Sequence, residues 1–294
     1  MSRFGDRVLD ATDRMVRMPR VPPLPPGQLI SLPGRGHTYV TDTGGRRPAL
    51  FLLHALACTG LLTWYPSLEV LSKRYRLVIF DQRWHGQGIR SPQFVLDDLA
   101  DDVVAVADAL GIERFISAGF SLGSLVSQLV AHRHPDRIEG MVLCASTTHF
   151  GRSQRGQQNL YRVSARASSA GFGLQLAAMR DSDLAGTPQG RWAWEQFRST
   201  SGREIAGAGA VIAGFDSRPW IGDVDLPTAV VVTGRDKLIP PERQRGLASR
   251  ITGATIYEAP SGHASCVIGA QRFTPAMAEA CASVSSRLRP HAPR

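Results

Sequence analysis

The residues most suited to chemistry are a serine and the two glycines that flank it. Gly119, Ser121 and Gly123 form the pattern G-x-S-x-G. An apolar run leads into Ser121 and a helical pattern follows, which predicts a sharp strand-to-helix turn with a strained backbone at the serine. A side chain at either glycine would collide across so tight a turn. The N-terminus of the helix also offers free N–H groups where negative charge would develop.

A serine hydroxyl is a poor nucleophile near neutral pH, so it needs a histidine base and a carboxylate that orients the base. Asp236 follows an apolar run at 228–233, and His263 follows another at 254–259. Because sites on parallel sheets form at the carboxyl ends of strands, we expect both side chains at the same edge as Ser121. The chain order serine, aspartate, histidine fits such a strand-to-helix nucleophile.

Other acidic and basic side chains fit these roles less well. Asp223 and Asp225 precede their strand, which places them at its opposite edge. Six further histidines fall in earlier loops, at a helix end, at the start of the insertion or in the tail: His54, His85, His132, His134, His149 and His291. Asp236 and His263 are therefore the expected partners of Ser121.

Short apolar runs alternate with helical patterns, which predicts a mostly parallel α/β sheet. Strands are expected at 38–42, 49–54, 75–81, 114–120, 139–145, 228–233 and 254–259. Helices are expected from Leu96 to Leu110 and from Leu122 to Val130. Four aspartates begin the first of these helices: Asp97, Asp98, Asp101 and Asp102. We interpret them as partners of the helix dipole on a solvated face, not as metal ligands.

The domain organisation follows from where this alternation starts and stops. Residues 27–148 and 221–294 are the predicted α/β core, and 149–220 are a predicted helical cap insertion. Residues 1–26 read as a basic amphipathic arm, up to residue 20, and a proline-rich linker. The arm has two interpretations: a helix that contacts a membrane surface or a partner, or a helix packed on its own domain. The second is favoured because aspartates reduce the charge of the arm.

Composition excludes several classes of protein. The chain has 294 residues with a net charge of +9, but its arginines are scattered and no basic-aromatic cluster indicates a nucleic-acid partner. Its four cysteines are widely spaced without a C-x-x-C pair, so neither a disulfide framework nor a zinc site is predicted. No secretory leader or membrane-spanning run is evident. A cytoplasmic protein is expected, with contact to a membrane surface through residues 1–20 as the alternative.

From about Gly34 to Arg289 the chain resembles the α/β-hydrolase superfamily. The motifs are Leu53-His54-Ala55-Leu56, the loop FDQRWHGQG from Phe80, Gly-Phe-Ser121-Leu-Gly, Gly-Arg-Asp236 and Gly-His263. The resemblance implies an α/β-hydrolase fold, a mostly parallel central sheet flanked by helices with a helical cap. It also implies Ser121 as nucleophile, Asp236 as acid and His263 as base, with the N–H groups of Leu56 and Leu122 as oxyanion hole. No metal or organic cofactor is implied. The chain has Ala55 and Trp84 where the family commonly has glycine.

The expected function is that of a serine hydrolase, which cleaves carboxylic esters with apolar or acyl-chain groups through an acyl-enzyme. The expected partner is thus a small-molecule ester or acyl substrate. Residues expected to shape its pocket are His54, Trp64, Trp84, Phe120, His149, Trp192, Trp194 and Phe197. Core packing is the alternative for each aromatic. Thioesterase, lactonase, carbon–carbon hydrolase, acyltransferase and perhydrolase activities remain alternatives on the same triad, as does a non-catalytic ligand-binding protein.

Overall fold

A computed structural model gives the fold of the chain over residues 21–23, 26–150 and 188–288. These residues include an eight-stranded sheet with the strand order β1-β2-β4-β3-β5-β6-β7-β8. The strands are β1 (Gln28–Leu32), β2 (Gly36–Asp42), β3 (Ala49–Leu53), β4 (Arg76–Phe80), β5 (Phe115–Phe120), β6 (Ile138–Cys144), β7 (Thr228–Thr233) and β8 (Thr255–Ala259). The pairs β1/β2 and β2/β4 are antiparallel, and every pair from β4 to β8 is parallel.

Helices cover both faces of the sheet. They are α1 (Gly60–Leu71), α2 (Leu96–Ala109), α3 (Leu122–Arg133), α4 (Pro188–Arg198), α5 (Gly202–Ile212), α6 (Pro241–Ala248) and α7 (Ala270–Ser286). Successive residues of a strand point to opposite faces of the sheet and belong to two different apolar clusters. Phe51 and Val230 face α2, α3 and α6, whereas Leu52 and Val231 face α1 and α7. Because both faces are buried, the parallel strands are apolar throughout.

The α/β-hydrolase fold class is confirmed, as are the seven predicted strands and the helices α2 and α3. The strand β1 is not predicted because only Leu32 of its five residues is buried, so it has no apolar run. The helix α1 begins within an apolar stretch and contains Pro66, and α7 contains Pro275. Because proline inside a helical pattern predicts the end of a helix, the sequence does not predict either of these two helices.

The interpretation of the aspartates at the start of α2 as a solvated face is wrong for Asp102. This carboxylate is 1% exposed. It accepts hydrogen bonds from Arg83 Nε at 2.9 Å and from Arg35 Nη1 at 2.8 Å. The other aspartates of the group also pair with arginines, but nearer the surface. Asp102 therefore joins α2 to the loop after β4 and to the turn between β1 and β2.

The predicted division into arm, core and cap remains a prediction. The helices α4 and α5 fall inside the predicted insertion, while residues 1–20 and 151–187 lie outside the described residues. Across the described ranges, no helix combines the length and apolar character that a membrane span requires.

Candidate active site

Ser121 lies at the turn between β5 and α3 with a backbone conformation that is rare for a residue with a side chain. Its φ is 52° and its ψ is −109°. A Cβ on Gly119 would lie 2.2 Å from the Gly123 carbonyl carbon, and a Cβ on Gly123 would lie 2.1 Å from the Leu53 carbonyl oxygen. The predicted requirement for glycine on both sides of the serine is confirmed. The strained turn presents Ser121 Oγ at the carboxyl end of the sheet.

Ser121, His263 and Asp236 form a continuous chain of hydrogen bonds. His263 Nε2 lies 2.9 Å from Ser121 Oγ, and His263 Nδ1 lies 2.7 Å from Asp236 Oδ2. The three residues come from the ends of β5, β7 and β8, as the strand pattern predicts. Ser121 is 9% exposed, and the side chains of His263 and Asp236 are 23% and 0% exposed. The site is thus nearly enclosed, with His263 its most accessible member.

Asp236 is held by donors on both carboxylate oxygens. Oδ1 accepts the N–H groups of Leu238 at 2.8 Å and Ile239 at 2.9 Å. Oδ2 accepts the Thr233 hydroxyl at 2.8 Å in addition to His263. Burial by itself raises the pKa of Asp236, but the charge and hydrogen bond of His263, with the Ile239 and Thr233 donors, outweigh burial and lower the pKa below its ordinary value. Asp236 is therefore an ionised, fixed acceptor for the His263 N–H.

Two further residues support this carboxylate, and no sequence motif predicts them. Gln244, in α6, donates from Nε2 to Thr233 Oγ1 at 2.8 Å and to the Ile239 carbonyl at 2.7 Å. Its Oε1 accepts the Thr233 N–H at 2.9 Å. Both side chains are fully buried. The one hint in the sequence is that Thr233 ends an apolar strand with a polar residue three positions before Asp236.

The predicted oxyanion-hole donors, the N–H groups of Leu122 and Leu56, both lie shortly after the carboxyl ends of strands of the parallel sheet. Leu122 is the first residue of α3, where a helix leaves its N–H groups without internal acceptors. Leu56 lies in the loop that follows β3, which runs parallel to β5 in the sheet. In the described parts of the chain neither N–H has a hydrogen-bond acceptor, whereas the next N–H of α3, that of Gly123, donates to the His54 carbonyl at 3.0 Å.

Phe120 and Trp64, both expected near the substrate, are fully buried. The Phe120 ring lies 5.7 Å from the His263 ring and 5.3 Å from the Phe273 ring. Trp64, in α1, lies 6.4 Å from Phe273 within the apolar core. Phe120 therefore packs directly behind the site, while the contacts of Trp64 are those of core packing. His54 is also fully buried, at the start of the loop that carries Leu56.

Trp84 contacts the insertion but does not lie beside Ser121 in any described contact. Its φ is 68°, a conformation that favours glycine. Its Nε1 donates to the Ser91 carbonyl at 2.8 Å, and its ring lies 5.3 Å from that of Phe94. A Cβ on Gly207 of α5 would come within 2.8 Å of the indole. Trp84 thus packs the loop after β4 against α5.

Two predicted pocket residues of the insertion, Trp192 and Phe197, pack against the apolar cluster that contains Trp64 and Phe120. The Trp192 ring lies 5.3 Å from Tyr65. Trp192 also lines a cavity of about 320 Å³ together with Leu61, Asp81 and other residues, but none of Ser121, Asp236 and His263 is in that lining.

The other two predicted residues of this segment are Trp194 and His149. Trp194 stacks on Phe197 with ring centroids 6.1 Å apart, and the Arg198 guanidinium lies over the Trp194 ring. His149 forms an isolated bridge with Asp216. The aromatic acyl pocket therefore stays a prediction.

Comparison with known proteins adds to this geometry. The sequence matches the family described as alpha/beta hydrolase fold over residues 48–270. It is 28% identical over 251 residues to a pimeloyl-acyl-carrier protein methyl ester esterase from Chromobacterium violaceum, a match that covers 81% of this chain and 96% of the relative. It is 24% identical over 255 residues to 3-oxoadipate enol-lactonase 2 from Acinetobacter baylyi, covering 81% and 90%.

A solved structure of similar fold is the enol-lactonase from Burkholderia xenovorans LB400. It superposes with a TM-score of 0.73 at 26% identity and covers 87% of this chain and 100% of the other. These relatives share hydrolysis as their reaction class. Because the family match spans most of the chain, the protein belongs to the α/β-hydrolase fold family.

Proposed function

We propose that the protein hydrolyses carboxylic esters by acyl transfer through Ser121. The observation that carries the proposal is the hydrogen-bond chain from Ser121 through His263 to Asp236, with distances of 2.9 Å and 2.7 Å, at a serine held in a strained turn. A serine hydroxyl becomes a nucleophile when it is hydrogen-bonded to a histidine base and a carboxylate orients that histidine.

In the first step Ser121 Oγ attacks the ester carbonyl carbon while His263 Nε2 takes the hydroxyl proton. The carbonyl oxygen becomes an oxyanion, which the N–H groups of Leu122 and Leu56 would hold. When the tetrahedral intermediate collapses, the C–O bond to the alcohol breaks and His263 returns the proton to the leaving oxygen. Water then attacks the acyl-enzyme by the same route and releases the acid and free Ser121.

Asp236 supports the charged state of His263 that exists between these proton transfers. It accepts the Nδ1–H, which leaves Nε2 as the unprotonated nitrogen that faces Ser121. Its lowered pKa keeps the carboxylate ionised, so its charge stabilises the imidazolium as it forms.

The names of the three relatives described above favour an ester carbonyl as the substrate. One is a methyl ester esterase and two are enol-lactonases, and a lactone is a cyclic ester. We extend the proposal to an apolar acyl group, because the aromatic ring of Phe120 packs 5.7 Å from the ring of His263.

A lactone is the second candidate substrate, and the similarity to enol-lactonases in both sequence and structure supports it. The two candidates differ in whether the leaving oxygen stays attached to the acyl group. A comparison of kcat/KM for p-nitrophenyl butyrate and for simple γ- and δ-lactones would rank them.

The substitution Ser121→Ala tests the proposal. We expect a loss of at least about 10⁴-fold in kcat on p-nitrophenyl butyrate, because no nucleophile remains. Ser127→Ala is the matched control: Ser127 is also a buried serine, but it lies within α3 and its hydroxyl contacts Ser117 Oγ at 2.7 Å and the Gly123 carbonyl at 3.1 Å, not His263. Circular dichroism checks that both variants are folded. Undiminished turnover by folded Ser121→Ala would overturn the proposal.

A further inference from the structure

His54 lies directly after β3 and has no exposed surface. The Gln82 N–H donates to its Nε2 at 2.8 Å, so Nε2 is the unprotonated nitrogen of the ring. Burial, and after it the neighbouring His85, lower the pKa of His54 well below its ordinary value, so the ring is neutral. A neutral ring with a bare Nε2 carries its proton on Nδ1, which lies 2.8 Å from the Ala55 carbonyl oxygen.

This hydrogen bond sets the orientation of the peptide group that joins Ala55 to Leu56. The Ala55 carbonyl accepts from His54 Nδ1 and also from the Cys58 N–H at 3.2 Å. In a planar trans peptide the carbonyl and the N–H point in opposite directions. A carbonyl turned toward His54 and Cys58 therefore directs the Leu56 N–H away from them, and within the described ranges that N–H has no acceptor.

The same residue also holds the second part of the oxyanion hole. The His54 carbonyl accepts the Gly123 N–H at 3.0 Å and Gln82 Nε2 at 2.8 Å. Gly123 follows Leu122 in the first turn of α3. His54 thus connects the loop of Leu56, the turn of Ser121 and the loop after β4 by four hydrogen bonds.

We propose that His54 is a positioning residue for acyl transfer: the bond from its Nδ1–H to the Ala55 carbonyl aims the Leu56 N–H at the oxyanion. The inference rests on the proposed ester hydrolysis at Ser121 and extends it to a side chain that touches no substrate. Stabilisation of an oxyanion depends on donors fixed before the reaction, and loss of one such donor costs about 10²–10³-fold in kcat. The effect should fall on kcat, since the oxyanion exists only in the transition state and the intermediate.

Two substitutions separate the roles of the two ring nitrogens. In His54→Asn the side-chain Nδ2 takes the place of Nδ1 and can still donate to the Ala55 carbonyl, but the Gln82 N–H loses its acceptor. In His54→Gln the side-chain Oε1 takes the place of Nε2 and can accept the Gln82 N–H, but the bond to Ala55 is lost. On p-nitrophenyl butyrate we expect His54→Gln to lose about 10²-fold in kcat and His54→Asn less than about 10-fold, with KM of both within about threefold of wild type.

His85→Asn is the matched control, since His85 is equally buried and its ring lies 5.0 Å from that of His54, but its Nδ1 bonds to the Arg83 carbonyl. We expect its kcat to stay within about threefold of wild type. If turnover requires Ser121 but both His54 variants keep the wild-type kcat, or if Asn loses as much as Gln, this inference falls and the proposed function stands. If turnover does not require Ser121, both fall.

A measurement on the unmodified site covers the case in which neither His54 variant folds. ¹⁵N NMR of histidine-labelled wild type reports which ring nitrogen is protonated, and the His85→Asn variant identifies the signals of the other buried ring by difference. We expect a neutral His54 with a protonated Nδ1 at pH 7 and no titration of this ring across the ordinary histidine range, because burial lowers its pKa well below that range. A ring protonated on Nε2 would overturn the inference, because Nδ1 could not then donate to Ala55.

Discussion

At the scale of single residues, the proposed activation of Ser121 depends on how firmly Asp236 is fixed. The four donors around this carboxylate come from the turn after β7, from β7 itself and from His263, and Gln244 of α6 holds one of them, Thr233. All but the His263 donor are independent of the catalytic cycle. The carboxylate therefore keeps its position while His263 gains and loses a proton.

Asp236→Asn should reduce kcat on p-nitrophenyl butyrate by about 10⁴-fold with little change in KM. An amide can donate to His263 Nδ1, which would place the ring proton on Nε2 and leave it unable to accept the Ser121 proton. The control is Asp223→Asn, because Asp223 is an exposed aspartate that precedes β7 at its opposite end. Steady-state kinetics near pH 8 give the comparison. A loss of less than about tenfold for Asp236→Asn would contradict this role.

The triad could be predicted from the sequence because each member lies next to a local pattern. Ser121, Asp236 and His263 each follow an apolar run and accompany a glycine, and a parallel sheet brings such positions to one edge. Gln244 could not be predicted in this way. It is one polar residue among several in α6, and only the packing of α6 against β7 brings it to Thr233. For the same reason the sequence does not distinguish the buried Asp102 from the more exposed aspartates beside it in α2.

At the scale of elements, two loops carry a larger residue where the family commonly has glycine. Ala55 stands where glycine is common, and its φ is not among the positive values of the described residues, so its methyl group causes no backbone strain there. Trp84 also replaces a glycine, but its φ is 68°. The cost of that conformation is offset by the contacts of the indole with Phe94, Ser91 and Gly207. The aromatic residues of the sequence predicted a substrate pocket. Whether an aromatic side chain lines a pocket or packs against another element depends on its direction, which the sequence does not give.

Asp102→Asn should lower the free energy of unfolding by about 3 kcal/mol, because it removes the buried carboxylate that pairs with Arg83 and leaves that guanidinium only the more exposed Asp98. Arg83 is 6% exposed and Asp102 is 1% exposed. Asp97→Asn is the control on the same helix: its carboxylate is 54% exposed, and its pair with Arg133 should contribute no more than about 0.5 kcal/mol. Urea unfolding followed by circular dichroism measures both. Equal destabilisation by the two variants would show that burial of the Asp102 pair is unimportant.

At the scale of the whole molecule, the excess of arginine has a structural use within the described residues. Arg35, Arg83 and Arg133 come from three separate parts of the chain and converge on the four aspartates that begin α2. These arginines therefore connect separate elements of the fold through ion pairs, in agreement with the absence of a basic-aromatic cluster in the sequence.

The four cysteines are buried free thiols, and burial raises the pKa of Cys58 and Cys281 to about 12.

The central claim is that His263 activates Ser121 as a nucleophile, and covalent labelling tests it without knowledge of the substrate. The full chain and a His263→Ala variant would be treated with a fluorophosphonate probe, and the modified peptide would be mapped by mass spectrometry. We expect modification of wild type at Ser121 and a rate lower by at least about 10³-fold in the variant. A folded wild type that is not modified at Ser121, or a variant labelled as fast as wild type, would contradict the claim.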